Sequence, residues 1–112
     1  MSELSSQRCE ACRVGAPQVS AQAQTKMLAQ LPGWCVETRN GIPQLEKTFR
    51  FDNYQQAIEF TNRVAELAEA EDHHPALLTE WGKVRVTWWT HAIDGLHHND
   101  FICAAKTDQL NR

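Results

Sequence analysis

Five histidines stand in a chain of 112 residues, all between positions 73 and 98. Imidazole titrates near neutral pH, so each can give or take a proton under cellular conditions. His73 and His74 precede Pro75, which pushes His74 out of the helical region and fixes the turn. Such a turn holds two adjacent imidazoles at a defined angle. Loops are mostly surface, so the plainer reading is a pair of exposed histidines. His91 ends a β-prone run, where the plainer reading is a hydrogen-bonded residue at a sheet margin. His73, His74, His91, Asp100 and nearby acids contain the residue types of a two-His-one-carboxylate metal set. Adjacent histidines project differently, however, and there is no H-x-H or H-E-x-x-H to place two ligands on one face. No metal is expected. Cys9-Glu-Ala-Cys12 supplies two ligands where structural zinc wants four, and lacks the strand-to-helix context of a thioredoxin-like pair. Cys35 and Cys103 sit in apolar patterns and read as small core residues.

These groups need elements to position them. Residues 1–18 are polar and aperiodic and read as a flexible N-terminal tail, leaving residues 19–112 as a single domain. Residues 19–31 carry Ala23, Met27, Leu28 and Leu31 at helical spacing, with Ser20 as a cap and Pro32-Gly33 as the stop. Asn40-Gly41 is a turn signal between two strand-like runs, although Pro43 leaves a longer loop open. Residues 44–51 alternate, with Leu45, Lys47, Phe49 and Phe51 on the dry side and the Lys47 stem tolerated there. Residues 54–71 form the strongest helix, opened by Asp52 or Asn53 and striped by Ala57, Phe60, Val64 and Leu67. It ends in Glu69, Glu71 and Asp72, which sit badly at the negative end of a helix dipole. Broken local rules often mark function. Residues 76–81 and 83–91 flank Gly82 as a second strand pair, with His91 at the end of the latter. A last helix spans residues 99–110, with Asn99 or Asp100 as its cap. The order α-β-β-α-β-β-α, with helices packed on one face of antiparallel pairs, gives an α+β fold.

Eleven Lys and Arg against fourteen Asp and Glu give a net charge of −3. A mildly acidic chain offers no general basic face, so no direct nucleic-acid binding is expected. No apolar run approaches the roughly 18 residues a spanning helix needs, so no membrane association is expected. The start, MSELSSQRCEACRVGAP, has no apolar stretch behind a basic opening and does not read as a secretory signal. A cytoplasmic location is expected, with the cysteines as thiols.

Pro32-Gly33-Trp34, Phe49-x-Phe51-Asp52 and Ala57…Phe60…Arg63-Val64-Ala65 resemble the pterin-4a-carbinolamine dehydratase family. So do Glu69, His73-His74-Pro75, Lys83-Val84, Thr87, Thr90-His91, Gly95-Leu96 and Asp100. The specific part is the ordered set of His-His-Pro, Thr-His and Gly-Leu-x-x-x-Asp. His97-His98 fill variable positions and gain nothing from the resemblance. Cys9 and Cys12 lie outside it.

The resemblance implies a four-stranded antiparallel sheet with helices on one face. It also implies dehydration of 4a-hydroxytetrahydropterin to quinonoid dihydropterin, after an aromatic amino-acid hydroxylase such as phenylalanine hydroxylase has made the carbinolamine. By that resemblance His73 and His91 are the catalytic acid-base pair. His74, Pro75, Thr90, Glu69 and Asp100 bind or orient the pterin. No cofactor is required. The implied partners are the pterin substrate, further copies of the chain in a homodimer or homotetramer, and an aromatic amino-acid hydroxylase. A relative in animals is also a dimerisation cofactor for a homeodomain transcription factor, so a protein-binding module is the alternative function.

Overall fold

A computed structural model describes residues 4–7, 9 and 18–111. Helix α1 (Ala21–Leu28) is followed by strands β1 (Cys35–Arg39) and β2 (Ile42–Arg50). Next come helix α2 (Tyr54–Glu71), strands β3 (Ala76–Glu80) and β4 (Lys83–Trp88), and helix α3 (His98–Leu110). The four strands form one antiparallel sheet in the order β1-β2-β4-β3. Helices α2 and α3 pack on one face of it, where Leu45, Phe49, Val84, Val86 and Trp88 are buried against Ala57, Phe60, Val64, Phe101 and Ile102. The fold is the expected α+β arrangement. None of the described helices is long and apolar enough to cross a membrane.

Local chemistry explains the boundaries. Ser20 caps α1 by accepting from the Ala23 amide, and Asn53 caps α2 by accepting from the Gln56 amide. Asn40 and Gly41 both have positive φ, 54° and 78°, which makes a tight two-residue hairpin turn. Pro43 lies inside β2 opposite Thr38, beyond the point where β4 pairing begins at Leu45. In a two-residue hairpin the Thr38–Pro43 pair carries no ladder hydrogen bonds, so the missing N–H costs none. Lys47 does lie along the dry side. Its Nζ sits 4.9 Å from the Phe49 ring centroid and donates to Asp108 at 2.9 Å.

Four sequence expectations change. Cys35 is exposed, because β1 alternates and its pairing with Glu46 turns it to the outer face. Strand β4 stops at Trp88, and His91 opens a short 3-10 turn, His91–Ile93, instead of ending a strand. Helix α3 is capped by His97, one residue before the helix, and Asp100 lies inside its first turn. The described part of residues 1–18 is not a detached tail. Leu4–Ser6 form a 3-10 turn packed on α3, with Leu4 buried in the main core. Lys106 donates to the Ser5 carbonyl at 3.0 Å, and Cys9 donates its amide to Glu71 at 3.0 Å. Cys12 lies outside the described residues. This covering explains why α3 is buried nearly all round its first half, from Asn99 to Ala105.

Candidate active site

The end of α2, the end of β4 and the start of α3 converge on one carboxylate. Asp100 has no solvent exposure. Its Oδ1 lies 2.6 Å from His73 Nε2. Its Oδ2 accepts from the Thr90 hydroxyl at 2.8 Å and from the His97 amide at 2.9 Å. The His97 contact is half of a capping box, whose other half is His97 Nδ1 accepting from the Asn99 amide at 3.1 Å. Asp100 therefore ties the helix start and the histidine together.

His73 is held from other sides as well. Asp72 adopts a left-handed conformation, φ 51°, which ends α2. The His73 amide then donates to the Ala68 carbonyl at 3.1 Å. The imidazole lies nearly parallel to the Trp88 indole, 7° apart with centroids 5.6 Å apart. Only 8% of its side chain is exposed. A carboxylate accepts and does not donate, so Nε2 carries the hydrogen and the neutral ring keeps its lone pair on Nδ1.

The other predicted residues surround this core. His74 is exposed, with Nε2 2.6 Å from Glu69 Oε2, which gives Glu69 a purpose at the helix end. Pro75 is half-buried and leads into β3. Thr90 is buried and bridges to Gly95, its amide donating to the Gly95 carbonyl at 2.8 Å. That bridge closes the loop on which His91 is exposed, its ring 4.4 Å from the Trp89 ring. The structure thus joins His73, Thr90 and Asp100 in one network and Glu69 with His74 in a second. His91 follows Thr90 in the chain, and its ring rests against Trp89 and not against this network. Among the described residues, no group of three His, Cys, Asp or Glu side chains is placed to share a metal ion.

The sequence reading missed His97. The signal was present: a polar residue three before an acid, at the start of an apolar run, is the capping-box pattern. Histidine is simply an uncommon residue in the capping role.

A family model described as pterin 4 alpha carbinolamine dehydratase matches residues 17–110. The chain belongs to that family. It is also similar to the crystal structure of a transcriptional coactivator/pterin dehydratase from Brucella melitensis. The two are 26% identical with a TM-score of 0.75, over 84% of this chain and 98% of that one. The matched span covers every element from α1 to α3, and with them all seven candidate site residues.

Proposed function

We propose that this member of the dehydratase family converts 4a-hydroxytetrahydropterin to quinonoid dihydropterin, returning the pterin spent by an aromatic amino-acid hydroxylase. The observation that carries the reading is the grip of buried Asp100 on His73, at the same sheet end as His91 and His74. The substrate has a hydroxyl on C4a and a hydrogen on the neighbouring N5. His73 takes the N5 proton on Nδ1, the nitrogen that Asp100 leaves with a lone pair. The N5 electrons form the C4a=N5 double bond as the C4a–O bond breaks. His91, exposed on its loop, protonates the departing oxygen, and water leaves. One proton enters the protein and one leaves, so the pair is reset by a single proton exchange with solvent. Positioned acid-base groups contribute about 10²–10⁴-fold, sufficient for a substrate already prone to lose water. His74 and Glu69 bind the pterin at the rim, and Pro75 and Thr90 fix the two histidine segments.

The test is the decay of enzymatically generated 4a-hydroxytetrahydropterin, followed in the ultraviolet. Acceleration by the protein is expected; decay at the spontaneous rate overturns the reading. A second reading rests on the Brucella melitensis relative, which is named a transcriptional coactivator as well as a pterin dehydratase. A protein-binding module would keep its partner when His73 and His91 are both replaced, whereas a dehydratase would lose its activity.

A further inference from the structure

The Cys9 and Cys103 sulfurs lie 3.4 Å apart although the residues are 94 positions apart in sequence. Neither thiol has a part in the dehydration. Cys103 is fully buried in α3, while Cys9 is half-buried on the segment that covers that helix. Cys9 is placed by bonds that do not involve the other sulfur. Its amide donates to Glu71 at 3.0 Å, and its thiol points at the Asn99 carbonyl, 3.8 Å away. Leu4, in the core, and Ser5, held by Lys106 and Gln109, anchor the same segment further along. Two cysteines brought this close by anchored backbone need little movement to join.

We propose that Cys9 and Cys103 form a reversible disulfide with a small-molecule disulfide such as glutathione disulfide as oxidant, stapling the N-terminal segment to α3. Solvent reaches Cys9, so exchange begins there. The Cys9 sulfur attacks the oxidant, forming a mixed disulfide and releasing one glutathione thiol. The Cys103 sulfur then attacks Cys9 Sγ, forming the intramolecular bond and releasing the second glutathione. Two protein thiols are oxidised, one glutathione disulfide is reduced to two thiols, and the two protein protons leave with them. Cys103 is buried and Cys9 is not, so the oxidant meets Cys9 first and Cys103 acts second. The hydrogen bond to Cys9 and burial push the Cys103 thiol up from its ordinary range, which slows its attack until Cys9 presents the mixed disulfide beside it. The link would tie down the turn of α3 that carries Asp100, so it guards the framework of the site without using any residue of it.

The experiment equilibrates the full chain in glutathione buffers of rising oxidation, traps free thiols by alkylation and maps the peptides by mass. The expected result is that Cys9 and Cys103 leave the thiol pool together in one cross-linked peptide. Cys12→Ser should keep the link. Cys103→Ser should stop at a glutathione adduct on Cys9. Oxidised wild type should melt several degrees above the reduced form, a rise absent in Cys9→Ser, because the link closes a very long loop. A Cys9–Cys12 disulfide with Cys103 still reduced overturns the proposal. So does a Cys103 that stays reduced in every buffer.

Discussion

Asp100 and Glu46 are two carboxylates that each gather donors from three residues, one on each side of the sheet. Asp100, on the helix side, has no exposure and takes an imidazole, a hydroxyl and a backbone amide. Glu46, on the outer face, takes Arg39 at 2.8 Å, the Thr87 hydroxyl at 3.1 Å and Arg85 at 3.8 Å. The number of partner residues is the same, yet the consequences differ. Glu46 is partly buried but borders solvent, and the long guanidinium side chains that reach it are half-exposed and give up rotamer freedom to do so. Around Asp100 nothing replaces a lost partner, and each donor belongs to a different element. The buried carboxylate therefore fixes geometry, and the outer one mainly tunes a surface. Only the first can hold a histidine in one tautomer through a reaction.

The largest effects should come from the two proposed acid-base groups, His73 on Asp100 and His91 on the neighbouring loop. His73→Ala and His91→Ala should each lower kcat by about 10²–10⁴-fold, and the double variant should approach the spontaneous rate. Stability separates the two. His91 is exposed, so its loss should leave the urea midpoint nearly unchanged. Removing His73 leaves Asp100 Oδ1 buried without its partner, which should cost on the order of 2 kcal/mol. Full activity in the folded double variant would refute the assignment.

Next is Asp100→Asn, which keeps the shape and removes the charge. Its carboxamide can still accept from Thr90 and His97, but its NH₂ then faces His73 Nε2. The imidazole must switch tautomer, moving the lone pair to the wrong nitrogen. A loss of roughly 2 kcal/mol in urea unfolding should accompany a kcat loss of at least about 10²-fold. A variant that loses stability but keeps kcat would reduce Asp100 to a helix cap.

This contrast also shows what was legible in the sequence. Period and punctuation gave α2, the hairpin at Asn40-Gly41 and the dry faces of the strands, because those depend on neighbours a few residues apart. The candidate residues followed from a resemblance carried by short ordered motifs. Three facts depended on distant contacts and were not legible. Glu71 meets Cys9, 62 positions away. The Leu4 segment covers α3, which turns an expected tail into part of the core. Cys35 faces outward through strand register, although an apolar pattern surrounds it. The acidic run at the end of α2 was visible as an anomaly, and only the structure shows Glu69 and Glu71 each spent on a specific donor.

A smaller effect tests the support beneath Asp100. The family resemblance gives neither His97 nor His98 a role, which predicts that both are silent on replacement. The structure separates them, since His97 is buried as the cap of α3 and His98 is exposed. His97→Ala should cost about 1 kcal/mol, the usual value of a lost cap, with a several-fold drop in kcat as Asp100 loosens. His97→Asn, which can cap, should recover most of both. His98→Ala should change neither. Equal behaviour of the two alanine variants would show that the capping box does not steady the site.

The smallest effect belongs to Glu46. The hydrogen bond from Arg39 holds its carboxyl below the ordinary range of 4.5, against the opposing effect of partial burial, with Thr87 and Arg85 also favouring the charge. A carboxyl with a depressed folded value stabilises above its unfolded value and loses that contribution as pH falls through the folded one. Glu46 should therefore add stability at neutral pH and lose it only below about 4.5, the ordinary value. Glu46→Gln should cost about 1 kcal/mol at neutral pH, because the Arg39 side of the pair is open to solvent and Gln can still accept from Thr87. It should also flatten the acid limb of the stability profile and shrink the difference between low and high salt. Its kcat should match wild type, because Glu46 lies on the opposite face of the sheet from Asp100. A kcat loss comparable to that of Asp100→Asn would erase the distinction between the two carboxylates and make the outer face part of the site.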